Sequence, residues 1–367
     1  MISLSLLFIV VMIGIGFGIF LQKGRFCFTS GFRDFIAAKD TRVLRGIFYS
    51  ILTMMLGVTL AYSFGIGVDH LWLPKFGLSS IIGGFIFGIG MVYGGGCASG
   101  TLYRAGEGYL YYWFMLIFVA LGYILFAILF PIFFLPYYYV PLQVFDGFSL
   151  IPTLNVFSPI IPIIIIFFMI LIYLKNRSSL NLKNKNNANA VSIKTSSISL
   201  QNLKGEWNIK YCGIGLGILS TLWFILWGVI SVTGPQAKWI GLLYSGIFGS
   251  EIIESSVYWS QVIFGGNGIS VTIDMIMLIS LILGATLAAL FSGEFRIRIP
   301  KRNRIPNAII GGLLMGFGSR LAPGCNISNT LGGLSILSIS GLIATLGLIL
   351  GVYVATHIMF RKVGCAV

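Results

Sequence analysis

Three cysteines stand in runs that an ordinary apolar helix would not use. Cys97 lies in Gly94-Gly95-Gly96-Cys97-Ala98-Ser99-Gly100-Thr101, Cys325 in Ala322-Pro323-Gly324-Cys325-Asn326-Ile327-Ser328, and Cys27 in Phe26-Cys27-Phe28-Thr29. A thiol is a weak hydrogen-bond donor on a soft, polarizable sulfur. Ser99, Thr101, Asn326, Ser328, Asn329 and Thr330 follow the first two cysteines, and such residues cap a helix that restarts after a break. A restarted helix exposes unpaired N–H groups carrying partial positive charge, which attract anions. One terminus contributes about 0.3–1 kcal/mol, up to ~2 when partly buried. That is too little to offset the desolvation of a divalent anion. Further donors are needed, and the candidates are the thiols of Cys97 and Cys325, the neighbouring hydroxyls, the backbone of Gly95, Gly96 and Gly324, and the cations Arg104 and Arg320.

Other chemistry finds less support. Five cysteines and two histidines form no CxxC and no metal-ligand spacing, so neither a metal nor another cofactor is expected. A cysteine nucleophile that formed a persulfide would need a base beside it, and no His stands near Cys97 or Cys325 in the sequence. Cys212 and Cys365 fall at expected helix ends and read as passive. Arg104 and Glu107 lie three apart and could form an ion pair on one helix face. For Arg320, pairing with Asp274, snorkelling and lending positive potential to a pore all stay open.

The two Gly-Cys runs close two copies of one phrase. Residues 81–97 align without a gap on 309–325, a shift of 228, with 8 of 17 positions identical and 6 of those Gly or Cys. Each Gly costs roughly 0.8–1.0 kcal/mol and Pro323 roughly 3 kcal/mol inside a helix. Irregular backbone at membrane depth persists only where protein or a water-filled cavity satisfies it. The breaks are therefore expected to face each other across a repeat axis. Small residues also let membrane helices approach, which accounts for the glycines of 83–90 and 311–318 but not for a cysteine at one place in both copies.

Composition supplies the setting. The chain is 57% hydrophobic and 9% charged, with a mean hydropathy of +0.96, where soluble domains carry about a quarter charged residues. Segments 2–22, 46–66, 109–130, 160–174, 211–231, 269–292 and 338–360 are long enough, or nearly so, to cross a core of roughly 30 Å. The first lacks a basic n-region and reads as an uncleaved span. Of 24 Lys and Arg, 6 lie in 23–45, 7 in 175–210, 5 in 296–304 and 2 at 361–362. The positive-inside rule puts these clusters in the cytoplasm, with the N-terminus outside and the C-terminus inside. A nucleic-acid surface is not implied by the net charge of +14. Residues 175–210 read as a flexible cytoplasmic linker between a membrane half at 1–174 and another at 211–367. The proline-rich stretch 131–159 reads as an external segment, and His70 as part of an external loop. On this orientation the two copies enter the bilayer from opposite faces, as in transporters whose broken helices meet near the midplane. The expected fold is an all-α integral membrane protein with a pseudo-two-fold inverted repeat.

At Arg25-Phe26-Cys27-Phe28-Thr29-Ser30-Gly31-Phe32-Arg33-Asp34, at Gly94 to Gly108 and at Ala322 to Asn329 the chain resembles the YeeE/YedE family of sulfur transport proteins. The resemblance implies uptake of thiosulfate across the bacterial inner membrane, through a narrow waist lined by three cysteines matching Cys27, Cys97 and Cys325. It also implies a cytoplasmic sulfur-carrier partner of the TusA type. Other sulfur or selenium oxyanions are the nearest alternative substrates, and a membrane sulfurtransferase is the alternative of another class. A relay through S–H donors further requires that Cys97 and Cys325 stay protonated in apolar surroundings.

Overall fold

A computed structural model describes residues 4–67, 71–72, 74–131, 205–266 and 268–364, the side chains of 252 and 360–364 excepted. The proline-rich stretch 132–159, the expected span 160–174, most of the linker, His70 and Cys365 lie outside the described residues. The first half holds α1 (Leu4–Lys23), α2 (Phe28–Ala38), α3 (Arg42–Ser63), α4 (Leu78–Gly94), α5 (Ala98–Gly106) and α6 (Leu110–Leu129). The second holds α7 (Ile209–Trp227), α8 (Thr233–Phe248), α9 (Ser250–Ser255), a π-helix at Tyr258–Ile263, α10 (Ile273–Ser292) and α11 (Ile305–Leu321). A second π-helix, Ile327–Gly333, and α12 (Ile339–Gly364) complete it.

Seven segments among the described residues are long and apolar enough to cross a membrane. One joins α1 to α2 and another joins α4 to α5, because the intervening breaks are short. The protein is all-helical and multi-pass, with no β-strand beyond an isolated bridge between Tyr109 and Arg298 among the described residues.

Neither half encloses a core alone. The most extensive packing pairs α1 with α10, α3 with α7, α4 with α12, α6 with α11, and α4 with α11. Exchanging the halves, so that α1, α3, α4 and α6 become α7, α10, α11 and α12, maps this set onto itself. The first four pairs are parallel; Gly14 lies against Met277 and Ser280, and Gly18 against Leu281 and Gly284. The self-paired α4 and α11 run antiparallel. Gly83 meets Ala322, Phe87 meets Gly318, Gly90 meets Met315 and Gly94 meets Gly311. A dyad that relates two antiparallel helices stands across them, which agrees with an inverted repeat for helices that span a bilayer.

The repeated glycines are the reason the backbones can meet. A Cβ on Gly318 would fall 2.6 Å from Phe87 N, and one on Gly311 would fall 2.6 Å from Gly94 Cα. Neither neighbour is a side chain that can swing away. Overfilling a packed core typically costs 1–3 kcal/mol. We expect Gly318→Leu to lower the thermal midpoint of the detergent-purified protein, measured by fluorescence-detected size exclusion, through a loss of about 2 kcal/mol or more. Gly246→Ala on α8, where a Cβ meets nothing within 4 Å, is the control and should leave the midpoint unchanged or raised.

Candidate functional site

Thiols occupy both breaks, two at the first and one at the second. In the first, α4 ends on Gly95, which adopts φ 68° and closes the helix as a left-handed C-cap. Cys97 is the N-cap of α5, and its own sulfur accepts from Gly100 N at 3.3 Å. The cap is the thiol itself, where the sequence pointed to the hydroxyls of Ser99 and Thr101. Ser99 Oγ lies 3.4 Å from Cys97 Sγ, and the Thr101 hydroxyl donates to Cys97 O at 2.8 Å. Cys27 sits at the matching N-cap position of α2. Its Sγ is 3.7 Å from Cys97 Sγ. Gly100 makes room for both, since a Cβ there would lie 2.9 Å from Cys27 Sγ and 3.2 Å from Cys97 Sγ.

The second break is built differently. Gly324 has φ 137°, and the chain re-enters helical structure as a π-helix, a form concentrated at functional sites. Cys325 N donates to Ser328 Oγ at 2.8 Å, and the Ser328 hydroxyl donates to Cys325 O at 3.1 Å. The Asn329 amide donates to Ala322 O at 3.1 Å. Asn326 is fully buried, and neither its amide nitrogen nor its amide oxygen has a hydrogen-bond partner. A buried amide left in this state loses about 1–3 kcal/mol for each unsatisfied group, so the position suits a polar guest.

This arrangement corrects the expectation that Cys97 and Cys325 face each other. The thiol beside Cys97 is Cys27. Because α4 and α11 are antiparallel, the break after Gly94 lies level with Gly311, and the break near Ala322 lies level with Gly83. Eleven residues at 1.5 Å per residue separate those levels by about 16 Å. The interruptions straddle the crossing point instead of coinciding at it.

Charged residues also take partners that sequence spacing did not suggest. Arg104 does not pair with Glu107. Its Nη1 donates to Gly95 O at 2.8 Å and to Tyr112 OH at 2.9 Å, and so clamps the first break. A helical side chain leans toward the N-terminus of its helix, which carries Arg104 back to the carbonyl that the left-handed cap leaves free. Glu107 lies past the end of α5 and binds Arg25 at 3.0 Å. Asp274 is taken by Lys238 at 2.9 Å, not by Arg320. Arg320 stacks over the Tyr123 ring at 5.2 Å, and its Nε is buried with no partner. A cavity of about 480 Å³ opens beside it, lined by Arg320, Gly324, Ser328, Lys238, Asp274 and Trp72 among others. Lys238 carried no local motif, and Arg25, although it heads the Cys27 motif, was given no role by it; the tertiary fold reveals the partners of both.

The remaining thiol among the described residues, Cys212, is buried against Gly24 and serves packing. Among the described residues no group of three or more His, Cys, Asp or Glu could hold a metal ion. Described parts of three basic segments meet at one end of the bundle, where Trp207 N donates to Lys23 O, Arg25 contacts Glu206 and Glu294, and Arg298 N and O bond Gly108 O and Leu110 N.

With this geometry in view, comparison with known proteins is decisive on family. A family model described as sulphur transport matches residues 23–354. The chain belongs to the sulphur transport family. The thiosulfate transporter TsuA of Spirochaeta thermophila is 31% identical over 368 residues, 96% of this chain and 98% of the relative. The TsuA of Escherichia coli is 25% identical over 94% of this chain and 92% of its own. The probable transporter YedE of Salmonella typhimurium is 32% identical over a shorter region, 29% of this chain. As a member of the sulphur transport family with seven candidate membrane spans among its described residues, the chain is a multi-pass membrane protein of a transport family.

The thiol geometry has a direct check. Oxidation of the purified transporter with copper phenanthroline, followed by peptide mass analysis, should join Cys27 to Cys97 and leave Cys325 free. Cys27→Ser should abolish the link. A Cys97–Cys325 peptide would contradict the arrangement.

Proposed function

We propose that the chain imports thiosulfate across the inner, or plasma, membrane along a passage that runs from the Arg320 cavity past Cys325 to Cys97 and Cys27. The N-terminus faces outward and the basic end faces the cytoplasm, as the positive-inside rule implies. The observation that carries this reading is a thiol at each break, Cys97 paired with Cys27 at the first and Cys325 at the second, with the unpartnered Asn326 amide buried beside Cys325. The full-length likeness to proteins named as thiosulfate transporters supports the substrate.

Asp274 balances Lys238 in the outer cavity, so Arg320 lends it positive potential, which concentrates a divalent anion at its mouth. Cys325, Asn326 and Ser328 then replace part of its hydration shell. Cys97 and Cys27 receive it about 16 Å deeper along α4, with Ser99 and Thr101 beside them. Thiol donors suit this task because conduction requires contacts favourable enough to enter and weak enough to leave. Gly95, Gly96 and Gly324 keep the backbone of each break free of side chains along the way. Their N–H groups are spent on the carbonyls of Val92, Met91 and Ser319, so Arg104 supplies the positive potential at the first break. A cytoplasmic sulfur carrier of the TusA type would draw uptake forward by consuming the product.

Radiolabelled uptake into proteoliposomes tests the reading. Loss of one hydrogen bond to a charged guest, about 1.5 kcal/mol or more, slows passage about tenfold or more. Cys97→Ala and Cys325→Ala should each reduce the initial rate by that much, whereas Cys212→Ala should not. Unlabelled thiosulfate should compete better than sulfate, sulfite, selenite or selenosulfate. Undiminished uptake in both alanine variants would remove the thiol passage, and stronger competition by a selenium compound would change the substrate.

A further inference from the structure

Below the Cys27–Cys97 pair a single guanidinium is surrounded by carboxylates. Arg25 lies two residues from Cys27, in the tight turn between α1 and α2, and holds φ 47°, a region that non-glycine residues seldom adopt. Its Nη1 binds Glu107 Oε1 at 3.0 Å, its Nη2 binds Glu294 Oε2 at 3.0 Å, and its Nε lies 3.5 Å from Glu206 Oε1. Gln22 Nε2 also donates to Glu294 Oε2, at 2.7 Å. These contacts tie the α1–α2 turn to the end of α5 and to the end of α10.

As a fastener the cluster is poorly designed. One carboxylate would neutralise Arg25, yet three converge on it. The Glu107 side chain is only 2% exposed, and its Oε2 is buried with no hydrogen-bond partner. A half-satisfied buried carboxylate contributes little net stability. Even with Lys23 beside Glu294, three carboxylates face two cations here, and the cluster sits two residues from Cys27 in the chain. A guanidinium fork binds carboxylates and tetrahedral oxyanions by the same two-pronged geometry, so one can replace the other.

We propose that Arg25 is the last substrate-binding residue of the passage: the oxyanion leaving Cys27 displaces Glu107 and Glu294 from the guanidinium, and the returning carboxylates expel it into the cytoplasm. The proposal rests on the transport reading above, and assigns a specificity-determining role to the cytoplasmic exit. Like-charge repulsion from Glu107 and Glu294 makes the site weak enough to release its guest.

The experiment is thiosulfate exchange by the full chain in proteoliposomes of defined orientation, with half-saturation measured separately from each face. Arg25→Lys keeps the charge and loses the fork. We expect its half-saturation at the cytoplasmic face to rise about tenfold, with the outer value unchanged. Glu107→Gln removes a competitor and should tighten cytoplasmic half-saturation while slowing release. The exchange of charges in Arg25→Glu with Glu107→Arg restores the ion pair but leaves no cation at position 25, and cytoplasmic-face exchange should stay impaired. Full recovery in that double variant, or an unchanged cytoplasmic half-saturation in both single variants, would reduce Arg25 to a fastener and overturn the proposal. If Cys325→Ala abolishes exchange while every Arg25 and Glu107 variant behaves as wild type, the thiol passage stands and only this inference falls.

Discussion

Backbone-to-backbone contact between α4 and α11 is the constraint on which the molecule depends. Gly83, Gly90, Gly94, Gly311 and Gly318 meet across it with no room for a side chain. Small residues at such a crossing are what helix association in lipid requires, where burial of apolar surface supplies no driving force. The antiparallel sense of the crossing has a further consequence. It sets the two interruptions at opposite ends of the pair, so that the Cys27–Cys97 pair is level with the start of α11 and Cys325 with the start of α4. On the proposed passage an anion would meet sulfur at two depths, spaced by about half of a core of roughly 30 Å.

The breaks differ although the sequence phrases that lead into them are copies. The first restarts as a regular α-helix capped by a cysteine, with Arg104 and Tyr112 holding Gly95 O. The second restarts as a π-helix and buries an amide that nothing satisfies. Symmetry in the scaffold therefore carries asymmetry in the lining. On the proposed import direction this difference would let the entry side gather the anion and the exit side release it.

Much of this was legible in the residues. Hydropathy and the Gly-Cys repeat were enough to expect an all-helical membrane protein of two related halves, and the structure has that all-helical, multi-pass form. The glycines of 83–90 and 311–318 read as close packing, and they are. What escaped was the level of the breaks. A shift of 228 says that two segments are alike, but not which end of one lies beside which end of the other. That register follows from the antiparallel crossing, and it replaces the expected Cys97–Cys325 meeting with a Cys27–Cys97 contact. Ion pairs escaped for a similar reason. Arg104 and Glu107 are near neighbours in sequence, yet the carbonyl freed by Gly95 and the cation at Arg25 are better placed for each.

The central claim is that the thiols stand in order along one passage, Cys325 nearer the outer cavity and Cys97 with Cys27 nearer the basic end. Single-cysteine variants in sealed, oriented proteoliposomes, treated with a small, membrane-impermeant anionic thiol reagent from one face at a time, test it most directly. The account expects the Cys325 variant to react from the outer face, with protection by thiosulfate, and the Cys27 and Cys97 variants to react faster from the cytoplasmic face. Equal labelling of all three from one face, or labelling of Cys325 only from the cytoplasm, would contradict it.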